Sequence, residues 1–109
     1  MNTESRDQPT RPDLSIVVVN YCRWDLTRNC LASIAEACKG ITHEVFLIDN
    51  ASKEDHCDAI AKEFPNVTVR RMQENLGFAK GNNVGLRLSK GRYAMLLNND
   101  TVCFPESLT

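Results

Sequence analysis

LSIVVV, residues 14–19, is a nearly continuous β-branched run. This composition is typical of a strand in a parallel sheet that is covered on both faces. EVFLID at 44–49 and RYAMLL at 92–97 have the same character, whereas VTVRRM at 67–72 mixes apolar and polar positions. The sequence therefore predicts four strands, of which the first, second and fourth are buried and the third lies at an edge.

Helical patterns separate these strands. Residues 24–39 place Cys30 and Cys38 on one apolar face, and Gly40 ends the pattern. Ser52-Lys-Glu-Asp55 resembles a capping box for a second helix that ends before Pro65, and residues 79–90 form a third helical segment. The order β-α-β-α-β-α-β predicts an α/β fold with right-handed crossovers and a mainly parallel sheet in the order 3-2-1-4.

Composition restricts the function classes. The 109 residues include 13 basic and 14 acidic side chains, so the net charge of −1 gives no reason to expect a nucleic-acid partner. Five cysteines without CxxC spacing favour reduced thiols over a disulfide framework. Residues 1–13 are polar and are predicted to be a flexible tail, not a signal peptide. We expect a cytoplasmic protein, with membrane association through segments beyond Thr109 left open.

Polar residues follow all four predicted strands, at 20–23, 49–52, 74–83 and 98–101. In a doubly wound sheet, ligands bind outside the carboxyl ends of the strands. Neither GxGxxG nor the Walker pattern is present, so a phosphate group at this edge would need a metal ion instead of a glycine-rich loop. The sequence therefore predicts a polar ligand along this edge.

Several residues at this edge have two interpretations. Asn98-Asn99-Asp100 offers oxygen ligands for Mg²⁺ or Mn²⁺, or it is a turn that satisfies its own backbone. Asp49 either accepts a hydrogen bond from a nucleobase or caps the neighbouring loop. Lys80 either faces phosphates or is a solvated charge, and Asn83 is a ligand contact or a helix cap.

SIVVVNY, VFLIDNAS, NLGFAKGNNVGL and GRYAMLLNNDT, in this order, resemble the successive motifs of family-2 glycosyltransferases, especially the rhamnosyltransferase-like branch. The resemblance covers nearly all of the chain from Leu14 onward. It implies a GT-A fold, with residues 14–109 forming the donor-binding domain and stopping before the acceptor-binding half. It also implies a role in cell-envelope polysaccharide biosynthesis.

The resemblance also implies roles for individual residues. Asp49 matches the aspartate that binds the base, and Asn98-Asn99-Asp100 matches the DxD motif, with Asp100 as the main ligand of a divalent cation because the first position is Asn. The remaining nucleotide-sugar contacts implied are Val19, Tyr21, Lys80, Asn82, Asn83 and Asn99.

The implied reaction transfers a sugar, with inversion, from a dTDP- or UDP-linked donor to a glycan or lipid-linked acceptor. The general base is expected beyond Thr109, so we expect these 109 residues alone to be inactive or nearly so. Two alternatives stand beside this reading, a non-catalytic nucleotide-binding or assembly module and a sugar nucleotidyltransferase. We also expect homodimerisation through an exposed sheet edge.

Overall fold

Strands and helices alternate along residues 11–103, the part of the chain that the computed structural model describes. The strands are β1 (Leu14–Asn20), β2 (His43–Asp49), β3 (Val67–Arg71) and β4 (Tyr93–Asn98). The helices are α1 (Trp24–Ala37), α2 (Cys57–Glu63) and α3 (Phe78–Leu88). Each strand predicted from its apolar run is present, with its ends shifted by one residue at most.

The four strands form one parallel sheet in the order β3-β2-β1-β4, which confirms the predicted order. In the centre of the sheet, Val17 is in register with Phe46 on one side and with Leu96 on the other. Asn20 is in register with Asp49, and Asp49 with Arg71, so the polar ends of β1, β2 and β3 lie side by side.

Alternate residues of β1 face two separate apolar clusters. Ile16 and Val18 pack with Cys30 and Ile34 of α1, and Val17 and its neighbours face α3 on the other side. Residues 15–20 are all buried, which confirms that β1 is covered on both faces. Cys38 is buried in the α1 cluster as well, as the sequence predicted for the two cysteines.

Helix α3 lies unusually close to β1 because two of its residues lack a side chain. A Cβ atom at Gly85 would overlap Cγ1 of Val17, and one at Gly81 would lie 3.1 Å from Cγ1 of Val19. Atoms that close must shift or strain the packing. These glycines therefore set the distance between α3 and the sheet, and with it the position of the loop that precedes α3.

The prediction that the fourth strand is buried is wrong. β4 pairs only with β1 in the sheet, and its side chains are exposed or half-exposed, including Tyr93 at 72% and Leu96 at 47%. Among residues 11–103, helix α1 contacts one side of β4, where Cys30 Sγ lies 3.8 Å from Asn98 O and Leu97 packs against the α1 cluster. Tyr93 and Leu96 remain exposed, so the described part of the chain leaves most of β4 uncovered. The strand is apolar, but it lies at an edge.

The predicted capping box is also wrong. Helix α2 begins at Cys57, with His56 at the N-cap position and no side-chain cap. Asp55 Oδ1, two residues before the helix, accepts a hydrogen bond from the backbone N–H of Cys57 at 2.9 Å. Ser52 is buried and donates instead to Asp49, with Oγ and Oδ1 2.5 Å apart. A strong buried acceptor thus holds the serine and prevents it from capping the helix.

The chain contacts the sheet before Leu14. Of the predicted tail, residues 1–10 lie outside the described part, but the backbone N–H of Arg92 donates to Pro12 O at 3.0 Å and that of Asp13 donates to Thr42 O at 3.0 Å. These bonds fix residues 12 and 13 beside the amino ends of the strands. None of the helices α1–α3 has the length and apolar character needed to cross a bilayer.

Candidate functional site

A pocket of about 290 Å³ opens at the carboxyl ends of β1 and β2, beside the start of α3. Its wall combines two exposed aromatic rings, Tyr21 and Phe78, with amide side chains from three different loops. The lining residues are Val19, Tyr21, Arg23, Asn50, Asn75, Gly77, Phe78 and Asn99. The predicted contacts Val19, Tyr21 and Asn99 are therefore brought together, as strand ends in a parallel sheet should be.

Asp49 lies behind this pocket and is completely buried. Its Oδ1 accepts from Ser52 Oγ and from Asn20 Nδ2 at 3.0 Å. Its Oδ2 accepts from the Ser52 backbone N–H at 3.1 Å and from Arg71 Nη1 at 2.7 Å. The loop-capping interpretation therefore describes what Asp49 does here, and a nucleobase could reach it only if one of these partners moved.

Two buried amide oxygens have no donor among the described residues, Asn50 Oδ1 and Asn82 Oδ1. Asn50 is 2% exposed and Asn82 6%, and Asn50 Nδ2 donates to Gly77 O at 3.0 Å. A buried acceptor without a partner costs roughly 1–3 kcal/mol. A bound molecule with N–H or O–H groups could supply the missing donors, and Asn50 already lines the pocket.

The loop before α3 brings a helix N-terminus to the pocket. Gly77, at φ 94°, turns the chain into the helix, and both Gly77 and Phe78 line the pocket. Amide groups at a helix N-terminus favour anionic groups. Lys80 is exposed in the first turn and Asn83 is exposed in the second, so Asn83 does not cap the helix.

Asn98-Asn99-Asp100 forms a turn directly after β4, closed by a hydrogen bond from Thr101 N to Asn98 O at 3.0 Å. Asn98 and Asp100 are exposed, whereas Asn99 is half-buried. Asn99 Nδ2 donates to Asn20 Oδ1 and to Thr27 Oγ1, both at 3.2 Å. The middle residue is thus turned inward, and its two neighbours present their oxygens to solvent.

The side-chain oxygens of Asn98 and Asp100 are too few to hold a metal ion alone, but they could hold one that a bound phosphate also coordinates. No group of three His, Cys, Asp or Glu side chains among residues 11–103 could hold a metal ion. Mg²⁺ commonly takes one or two protein carboxylates and completes its shell with water and substrate phosphates. Asp100 with Asn98 supplies such a partial set, at an edge where a phosphate could supply the rest.

A larger groove, of about 490 Å³, lies elsewhere, between α1, the end of α2 and β3. Its walls include Leu31, Ile34 and Phe64, which belong to the apolar core or pack against it. No buried polar atom without a partner lies there, whereas both unpaired amide oxygens lie near the start of α3. Chemistry, and not size, therefore identifies the smaller pocket as the candidate site.

The model of the glycosyl transferase family 2 matches residues 15–109, nearly the whole chain. The chain belongs to glycosyltransferase family 2. A relative in Haemophilus influenzae, described as an uncharacterized glycosyltransferase, is 37% identical over 93 residues, which are 85% of this chain and 31% of that protein.

Solved structures confirm the GT-A fold of this family 2 domain. S. aureus TarS (residues 1–349) superposes with a TM-score of 0.76 at 23% identity over 88% of this chain, and it was also solved in complex with UDP. The mannosyltransferase PcManGT from Pyrobaculum calidifontis, in complex with GDP-Man and Mn²⁺, gives a TM-score of 0.76 at 25% identity over 90% of this chain. The domain spans 30% of each of these two chains.

Four residues of the candidate site were given no individual role from the sequence. Asn20 and Asn50 lie in the polar stretches that follow the first two predicted strands, which the sequence placed at the ligand edge without assigning a role to either residue. Arg71 is the last residue of β3, but it reads as part of a half-polar edge strand. Thr27 lies inside α1 and reads as an ordinary helical residue, so only its contacts with Asn20 and Asn99 reveal it.

Proposed function

We propose that this family 2 domain is the donor-binding part of an inverting glycosyltransferase that takes a sugar from a nucleoside-diphosphate sugar. The observation that carries the proposal is the pocket at the strand ends, whose wall includes Asn50, with a buried amide oxygen that has no donor among the described residues, and Asn99 of the turn after β4. GDP-Man and Mn²⁺ in the P. calidifontis enzyme and UDP in TarS are ligands of the expected class.

The nucleoside would lie between Tyr21 and Phe78, since exposed aromatic rings that line a pocket can stack on a base. Val19 would form the apolar floor, and the free oxygens of Asn50 and Asn82 would accept hydrogen bonds from ribose hydroxyls or base N–H groups. Asp49 would contact the base once one of its present partners moves aside. Of the residues that donate hydrogen bonds to Asp49, Arg71 is the most accessible, with 34% of its side chain exposed. Its bond is therefore the one that we expect a nucleobase to displace.

The diphosphate would lie between the start of α3 and the turn after β4. Lys80 and the helix amides would bind its oxygens, with Asn83 and Asn99 nearby, and Asp100 with Asn98 would hold Mg²⁺ or Mn²⁺. A divalent cation held there would supply positive charge to balance the charge on the departing diphosphate.

In the proposed reaction an acceptor hydroxyl oxygen attacks the anomeric carbon from the side opposite the diphosphate. The new C–O bond forms as the bond to the diphosphate oxygen breaks, and a carboxylate takes the hydroxyl proton. We assign that carboxylate to the acceptor-binding half and not to residues 11–103. The donor would be dTDP- or UDP-linked, and the acceptor a glycan or lipid-linked sugar of the cell envelope.

Calorimetry of UDP, dTDP and GDP, each with and without Mn²⁺, tests the donor site. We expect one nucleotide to bind with an affinity that Mn²⁺ raises, and Asp100→Ala to abolish the increase. Asp13→Ala is the matched control because Asp13 is exposed at the opposite end of the sheet. If the affinity changes neither with Mn²⁺ nor in Asp100→Ala, only the alternative of a non-catalytic nucleotide-binding module remains. If no nucleotide binds at all, the proposal is refuted.

A further inference from the structure

A continuous polar chain crosses the carboxyl edge of the sheet in strand order. Arg71 at the end of β3 donates to Asp49 of β2 at 2.7 Å, and Asn20 of β1 donates to Asp49 at 3.0 Å. Asn99, which follows β4, donates to Asn20 Oδ1 at 3.2 Å. The two ends of the proposed donor site are therefore joined through a single side chain, that of Asn20.

The orientation of the Asn20 amide is dictated by its neighbours. Its Oδ1 faces the backbone N–H of Arg23 at 3.3 Å, which can only donate. Its Nδ2 faces the carboxylate of Asp49, which accepts when ionised. Because Asn20 is fully buried, no water can take the place of these partners. Its oxygen therefore points toward Asn99 and its nitrogen toward Asp49.

Thr27 of α1 is the second support for the same turn. Its hydroxyl donates to Asn20 Oδ1 at 2.7 Å and accepts from Asn99 Nδ2 at 3.2 Å. Thr27 is fully buried, so water cannot replace these bonds. Asn99, which lies between Asn98 and Asp100, is thus held by residues of two elements, β1 and α1.

We propose that Asn20 and Thr27 are positioning residues that hold Asn99 and thereby set how strongly the neighbouring Asp100 and Asn98 bind a divalent cation. The inference rests on the proposed donor site. It adds that the metal affinity is determined by a buried hydroxyl on α1 that touches neither the cation nor the nucleotide. Residues that orient metal ligands typically change the affinity 10- to 100-fold when mutated.

Thr27→Val is the decisive variant because it keeps the side-chain shape and removes the hydroxyl. In the full-length protein, UDP, dTDP and GDP are titrated with and without Mn²⁺, and the ratio of the two affinities is compared with wild type. We expect Thr27→Val to lower the Mn²⁺ enhancement about tenfold while metal-free affinity stays within about twofold. Thr27→Ser should restore it, and Thr68→Val, exposed on β3, should leave it unchanged.

An unchanged enhancement in Thr27→Val would overturn the inference. So would equal losses with and without Mn²⁺, because they indicate general damage to the pocket. Thr27→Ala, which removes the same buried hydroxyl with a smaller side chain, is the second variant should Thr27→Val fail to fold, with the same two outcomes. The wild-type titrations test the proposed function separately. If the wild-type protein binds no nucleotide, the proposed function is refuted before any variant is compared.

Discussion

The guanidinium of Arg71 lies 2.7 Å from the carboxylate of Asp49, so the ends of β3 and β2 are joined by an ion pair whose acidic partner is completely buried. Arg71 also donates to the backbone carbonyl of Ser52 at 2.8 Å. One side chain therefore holds both the carboxylate and the loop that follows it. Since that loop begins with Asn50, the pair also shapes the wall of the candidate pocket.

Arg71→Ala should destabilise the domain, because Asp49 would lose its only charged partner within 4.0 Å among the described residues. We expect the free energy of unfolding to fall by about 2 kcal/mol, measured by urea denaturation. Arg71→Lys should recover part of the loss, since an ammonium group cannot donate to both Asp49 and Ser52 with the same geometry. Arg70→Ala, exposed one residue earlier, is the control, and an equal loss there would contradict the assignment.

Gly85→Ala should destabilise the contact between α3 and the sheet. The added methyl group would overlap the side chain of Val17, which is fully buried and cannot move aside freely. Overpacking of this kind costs roughly 1–3 kcal/mol, visible as a lower unfolding midpoint in urea. Arg87→Ala, on the exposed face of the same helix, should change stability little, and a neutral Gly85→Ala would show that α3 is packed more loosely.

Cys57 should react slowly with iodoacetamide although it is not fully buried. Burial, and next the neighbouring Asp55, raise the pKa of its thiol to about 12, so little thiolate forms at pH 8. Cys22 is exposed and should be labelled first, as peptide mass spectrometry would reveal. Raising the pH toward 10 should accelerate labelling of Cys57 by about tenfold per pH unit. Equal labelling of both cysteines at pH 8 would contradict this.

The 109-residue chain should self-associate through β4. An apolar edge strand with exposed Leu96 and Tyr93 offers unpaired backbone groups and apolar area at one place. Light scattering should show dimers or larger species, and Leu96→Lys should shift them toward monomer. Thr68→Lys adds the same charge to the opposite edge strand, β3, and should not. A wild-type monomer at high concentration would exclude the proposed interface.

The sequence predicted the parts of the fold that depend on local patterns. The β-branched run of β1 has no alternation of apolar and polar residues, so it predicted a strand covered on both faces. The alternation of strands with helices predicted the parallel sheet. Strand ends then located the polar edge, because parallel strands bring their carboxyl ends together. The resemblance to family-2 glycosyltransferases then implied contacts at Val19, Tyr21 and Asn99, which line one pocket at that edge.

The tertiary structure decided what each polar side chain does at that edge. β4 has the apolar composition of a central strand, but whether a strand is covered depends on elements distant in sequence. Ser52 resembles a helix cap, but Asp49 is a stronger partner once both are buried. Arg71 and Thr27 have no local signature, since hydrogen bonds between residues 22 and 72 positions apart depend on how the elements pack. Sequence alone thus determined at which edge of the sheet the candidate site lies, and packing determined which of its polar groups lack a partner within the fold.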